Sequence, residues 1–140
     1  MRLPSLFPAL TLGATLSVTL FSGSMLKPAS AANFLVTNLT DATDGACTAD
    51  NCSLREALDS ANVAPSADVI SFEPSLFTSR QTLTVSQPYN VQDAGGLTIN
   101  GPGAGLLTIS GGNASRIFSV RLKATLALSG VTLTEGNGKG

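Results

Sequence analysis

The chain has 140 residues, 43% of them hydrophobic, 12% charged and 5% aromatic, with no His or Trp and a formal net charge of -1. That is room for one domain at most, and 8 basic against 9 acidic side chains without a basic run do not make the phosphate-neutralising surface that nucleic-acid binding needs. Without His, a Ser-His-Asp or Cys-His site cannot be assembled, and a zinc site would have to come from two Cys and carboxylates.

Arg2 gives a short basic start, and Leu3 to Phe21 is apolar or small and uncharged, although Pro4 and Pro8 interrupt it. Small residues stand further on at Ala29-Ser30-Ala31. This order is that of a secretory signal peptide, residues 1-31, marked for cleavage by Ala29 and Ala31. Cleavage after Ala32 is the second option. The prolines, the scattered Ser and Thr and the small-residue site argue against a membrane anchor, so the mature chain is expected to carry no transmembrane span. Cleavage after Ala31 makes the chain more acidic, because the two charges lost with the leader, Arg2 and Lys27, are both basic. In an exported protein, Cys47 and Cys52 are read as a disulfide closing a small turn, worth about 2 kcal/mol by loop closure.

From Ala32 to Thr40, Phe34, Val36 and Leu39 approach the alternation of a strand, and Asp41 to Asn51 reads as a loop. Ser53 and Glu56 then form an S-x-x-E capping box, with apolar Leu54, Ala57, Leu58 and Ala61 at helical spacing. The pattern predicts a short amphipathic helix from Leu54, limited by Pro65, with Arg55 and Asp59 elsewhere on its surface. Short β-prone pieces come next, at Val69 to Phe72 and Thr82 to Ser86.

The last third repeats. Leu97-Thr98-Ile99-Asn100-Gly101 recurs as Leu107-Thr108-Ile109-Ser110-Gly111 and, after a step nearly twice as long, more loosely as Leu126-Ala127-Leu128-Ser129-Gly130. Between an antiparallel sandwich and a solenoid, these repeats favour the solenoid, an all-β parallel β-helix of short strands. The longer step, Leu107 to Leu126, is assigned to one coil. The shorter step, Leu97 to Leu107, is assigned to two faces of a coil, with Gly101-Pro102-Gly103-Ala104-Gly105 as the corner. A first coil exposes its core and strand edge, so the helix is expected to cap it. Exposed helix leucines or antiparallel LTI strands would contradict this.

Phe34-Leu35-Val36-Thr37, Asp44-Gly45-Ala46-Cys47, Cys52-Ser53-Leu54-Arg55-Glu56-Ala57-Leu58 and Ala61-Asn62 resemble the CSLREA domain of exported bacterial proteins. The resemblance continues through Asp68-Val69-Ile70-Ser71-Phe72, Leu97-Thr98-Ile99, Gly101-Pro102-Gly103-Ala104, Arg116-Ile117-Phe118 and Gly130-Val131-Thr132-Leu133-Thr134. It implies a CSLREA cap over residues 32-66 and, over residues 67-140, the first coils of a right-handed parallel β-helix of the pectate-lyase-like kind. Such proteins are large and exported, some held at the outer membrane, and the resemblance brings no defined catalytic residues. Gly136-Asn137-Gly138-Lys139-Gly140 stands where a relative begins another coil, so the chain is expected to be a fragment or truncated.

Asp41, Asp44 and Asp50, with Gly45 and Asn51, gather oxygen ligands for Ca²⁺ in one loop, but at no EF-hand spacing; turn-forming and helix-preceding roles are preferred. Asp93 and Glu135 are far apart, with Arg116, Arg121 and Lys123 between them, and form no visible acid and base pair. For Glu135 with Arg116 or Arg121, a solvated ion pair is the preferred reading over catalysis. Ser110, Ser129 and Thr132 have no base to activate them. No catalytic residue, metal ligand or cofactor is assigned. The function expected is a non-enzymatic secreted or cell-surface cap and scaffold, for adhesion or envelope display, whose partners are a surface glycan or envelope component and further coils of the same protein. The alternative is the start of a polysaccharide lyase or hydrolase with its active coils beyond residue 140.

Overall fold

A computed structural model describes residues 30-64 and 66-138. Residues 1-29, which hold most of the expected signal peptide and its Ala29, lie outside the described residues, as do Pro65 and the Lys139 and Gly140 of the expected truncation. The chain forms β1 (Asn33–Val36), α1 (Leu54–Val63), β2 (Asp68–Phe72), a 3-10 turn (Pro74–Phe77) and β3 (Gln81–Thr84). It continues through β4 (Tyr89–Val91), β5 (Leu97–Asn100), β6 (Leu107–Ser110), β7 (Phe118–Val120), β8 (Leu126–Ser129) and β9 (Thr132–Thr134). The protein is mostly strand, with one α-helix among the described residues.

Among the described residues all the strand pairs are parallel, in three sheets ordered β1-β2-β5-β8, β3-β6-β9 and β4-β7. Like residues therefore stack on like. Phe34, Ile70, Ile99 and Leu128 form one in-register column, and Leu83, Ile109 and Leu133 another. The inward members of the middle strands, Ile70, Ile99, Leu97, Leu107 and Ile109, are 0-1% exposed, which makes one continuous apolar core. Alternate residues point the other way, as strand geometry requires.

The LTI strands are parallel, and β5 and β6 belong to different sheets, as the shorter step suggested. The longer step is corrected. Leu126 lies beside Leu97 and not beside Leu107, because β7 makes an additional sheet between β6 and β8. In the same pair of strands Ser129 Oγ meets Asn100 Oδ1 at 3.1 Å, across a return of 29 residues. The chain comes back at the same interval from Val69 to Thr98 and from Tyr89 to Phe118, and a little sooner from Gln81 to Leu107 and from Thr108 to Thr132. The strands β4 and β7 have three residues each, too short to register as alternation in the sequence.

The first strand is also shorter than Ala32 to Thr40. After Val36 the chain leaves the sheet, with the Thr37 and Asn38 N–H groups both donating to the Cys52 carbonyl at 2.9 and 3.2 Å. At the corner between β5 and β6, Gly101 rests on Gly130 of the next return, its N–H donating to the Ser129 carbonyl at 2.8 Å. A Cβ at Gly101 would collide with the Gly130 carbonyl oxygen, and Gly130 itself has φ of +66°, so the corner requires glycine twice.

Helix α1 packs against β1, β2 and β4. Its stripe of Leu54, Ala57, Leu58 and Ala61 is 0-1% exposed, as the spacing required. The helix stops at Val63, with the Ala64 N–H turned back to the Ala61 carbonyl. No helix among the described residues is long and apolar enough to cross a membrane.

Candidate functional site

The chemistry-bearing side chains gather where the loop of residues 37-53 and helix α1 meet the first strands of the sheets. Ser53 and Glu56 form the capping box: Ser53 Oγ accepts from the Glu56 N–H at 3.2 Å, and Glu56 Oε2 accepts from the Ser53 N–H at 2.9 Å. Both side chains also hold the loop, because Ser53 Oγ donates to the Ala42 carbonyl at 2.7 Å and Glu56 Oε1 accepts from the Asp44 N–H at 2.8 Å. Backbone donors, first Ser53 and then Asp44, hold the buried Glu56 carboxyl down to about 2. It is a charged anchor at the positive end of the helix.

Cys47 and Cys52 are joined by a disulfide, with Cα atoms 4.2 Å apart. Cys52 is fully buried, and its N–H donates to Thr37 Oγ1 at 2.9 Å. Around it, Asn38 Nδ2 donates to Asn51 Oδ1 at 2.6 Å, and Asn51 Nδ2 donates to Asp44 Oδ2 at 2.7 Å.

Asp41 lies at the centre of a second cluster. Arg55 reaches its two oxygens at 2.7 and 2.9 Å, Tyr89 Oη donates to Oδ1 at 2.9 Å, and Ser86 donates from both N–H and Oγ to Oδ2 at 2.6 Å. The Arg55 guanidinium also lies over the Tyr89 ring, 4.7 Å from its centroid, and donates to the Gln87 carbonyl at 2.7 Å. Burial pushes the Asp41 carboxyl up, but the hydrogen bonds from Ser86, Tyr89 and Arg55 together outweigh it and hold the group below its usual value. Burial first, and then the Asp41 charge, pushes the Tyr89 hydroxyl up, so it remains a proton donor to Asp41. Arg55 is therefore not a free surface cation beside Asp59: Asp41, 14 residues earlier, takes it in the one ion pair among the described residues.

Asn62 completes the contact. Its Nδ2 donates to the Asn90 carbonyl at 2.7 Å, and its Oδ1 accepts from the Gln92 N–H at 2.8 Å. Those are the outward groups on the side of β4 away from β7, and a residue of a neighbouring parallel strand would bind them in the same way. The Asn62 amide thus stands in for a strand. In the sequence Asn62 stands within the CSLREA-like motif without this role, and the signal for it is an amide near the end of a helix that must lie on an edge strand. Ser86 and Tyr89 carry no such local signal, since their partner Asp41 is 45 and 48 residues away.

The loop carboxylates are committed to these bonds: Asp41 to Arg55, Ser86 and Tyr89, and Asp44 to Asn51. Asp50 joins neither cluster, and no group of three His, Cys, Asp or Glu capable of holding a metal occurs among the described residues. Asp93 is buried, with Oδ1 accepting from the Gly95 N–H at 2.7 Å. Glu135 departs from the ion-pair expectation: Arg116 and Arg121 do not bind it, and it accepts from Ser110 Oγ at 2.6 Å. The in-register neighbours Ser110 and Thr134 bring Glu135 to that hydroxyl.

In its chemistry, the cluster neutralises and fixes backbone. It joins loop, helix and edge strands through charge-assisted bonds, a short covalent bridge and an amide that imitates a strand. Comparison with known proteins yields no matching family, no matching curated protein and no matching solved structure.

Proposed function

We propose that the chain is the exported N-terminal module of a right-handed parallel β-helix, a CSLREA-type cap and scaffold that performs no catalysis and serves adhesion or envelope display at the cell surface or in the medium. The observation that carries this reading is the Asn62 amide seated on the outward groups of β4, with the buried face of α1 beside it. A solenoid must cover the edge and core of its first coil, and a helix bearing a strand-mimicking amide does both. Arg55 and Asp41 extend the cover by binding the Gln87 carbonyl and the Ser86 N–H.

Three parallel sheets, visited in turn and revisited at similar intervals, support a coil of three short strands. The right hand follows from the general preference of parallel crossovers. At the other side, Val120, Leu122 and Leu133 are 47%, 94% and 46% exposed, which suits further coils or an envelope component as partner. The carboxylates with the most bonds hold the fold together, which favours a scaffold over an acid and base pair.

The test is to recover the protein from the envelope and medium of the producing cells, measure its non-reduced intact mass, and incubate it with cell-wall and extracellular glycans. The scaffold reading expects recovery in those fractions and glycans left intact. Glycan products would overturn it in favour of the start of a polysaccharide lyase or hydrolase, and recovery from the cytoplasm would overturn export.

A further inference from the structure

Asp68 heads β2 at a register position where the strands stacked on it carry Leu97 and Leu126. It is 1% exposed. Oδ1 accepts from the Ala32 N–H at 2.8 Å and from Ser66 Oγ at 2.9 Å, whereas Oδ2 is buried without a hydrogen-bond partner among the described residues. A buried carboxylate with one bare oxygen is destabilising, and native structures rarely leave such an atom without a reason. Ser66 is overcommitted as well. Its hydroxyl has a single proton, yet it lies 2.9 Å from both Asp68 Oδ1 and the Ser30 carbonyl.

Both irregularities sit at the expected leader cut. We propose that Asp68 is a socket for the α-ammonium group of Ala32, formed when the leader is removed between Ala31 and Ala32, an inference that rests on the export reading above. A signal peptidase hydrolyses the bond from the Ala31 carbonyl carbon to Ala32 N; the oxygen of water goes to the Ala31 carboxylate and both its hydrogens to the nitrogen. The single peptide N–H at 2.8 Å from Asp68 Oδ1 becomes a cation with three donors, enough to serve Oδ2 as well. Departure of Ser30 leaves the Ser66 proton to Asp68.

The backbone holds the new terminus in place. The Ala32 carbonyl accepts from the Val69 N–H at 2.9 Å, and the next residue, Asn33, is already in register with Val69. A chain beginning at Ala31 keeps a peptide N–H at the socket and displaces the charge by up to about 3.8 Å, onto an exposed residue. The socket therefore distinguishes a terminus at Ala32 from one a single residue longer. Processing would complete the first parallel sheet at the moment the leader is lost.

The experiment compares thermal unfolding of the mature chain beginning at Ala32 with the same chain retaining Ala31, each also carrying Asp68→Asn. The expected result is a Tm lower by about 5 °C or more for the chain with Ala31, and no difference between the two Asp68→Asn chains. Should Asp68→Asn not fold, Nα-acetylation of the chain beginning at Ala32 provides the second comparison, with the same loss expected. Equal Tm for the two wild-type chains, a difference that survives Asp68→Asn, or an acetylated chain as stable as the free one overturns the socket. N-terminal sequencing of the protein from its producing cells separates that failure from failure of the export reading: Ala32 as first residue supports both, and any other first residue overturns the proposal through the cleavage site.

Discussion

The two outer edges of the parallel sheets begin from similar strands and end in different surroundings. At the first-strand edge, Val36, Tyr89 and Val91 are fully buried, because α1, its loop and the side chains of Asp41, Arg55 and Asn62 lie over them. At the last-strand edge, Leu126 and Leu128 are half-buried and Leu133 is exposed, although their in-register neighbours Leu97, Ile99 and Ile109 are 0-1% exposed. The aliphatic pattern is the same; the neighbour differs. Burial in a stacked sheet belongs to the pair of adjacent strands as much as to the residue, so an edge of the same composition is core or surface according to whether another element covers it.

Substitution can test that contrast. Leu58→Ala, on the buried face of α1, should lower the unfolding free energy by about 3 kcal/mol, while Leu128→Ala at the other edge should lower it by about 1 kcal/mol or less; urea unfolding measures both. Equal losses would mean that Leu128 is covered in solution. Asp41→Ala removes the partner of Arg55, Tyr89 and Ser86 together and should cost about 2-3 kcal/mol by the same measurement. Loss comparable to Leu128→Ala would show that the cluster does not hold the loop and α1 against the strands.

Reduction of Cys47–Cys52 should destabilise by about 2 kcal/mol through the freed loop, detectable as a shift in urea midpoint with and without reductant. Glu56→Gln keeps a capping side chain but loses the charge, and should cost about 1 kcal/mol at neutral pH. Its sign with acid is fixed: the Glu56 carboxyl lies at about 2 when folded, from an ordinary 4.5, so its contribution is present above that ordinary value and fades as pH falls toward about 2. The gap between wild type and Glu56→Gln should close over that window in Tm against pH. A gap independent of acid would indicate shape and not charge. Asp41, also held low, contributes acid sensitivity of the same sign in both proteins and does not close the gap.

Several of these features are legible in the chain. The capping box of Ser53 and Glu56, the stripe from Leu54 to Ala61, the turn of Cys47 and Cys52 and the strands at Leu97 and Leu107 are local, set by bonds and side-chain directions within a few residues. Asp41 and Arg55 both stand out in the sequence, but as a turn-forming loop residue and a helix-surface charge, because nothing in local spacing connects residues 14 apart.

The amino-acid sequence by itself thus determined where the helix starts, which of its faces is apolar, and which short pieces are strands. Tertiary structure alone decided that Leu126 meets Leu97 and not Leu107, that Asn62 takes the place of a strand beside β4, and that Asp68 faces the nitrogen of Ala32. The physical reason is range. Caps and periodicity are set within one turn or one strand, whereas register and pairing depend on how far the chain travels before it returns, and that distance is fixed by the short third sheet that local alternation is too brief to reveal.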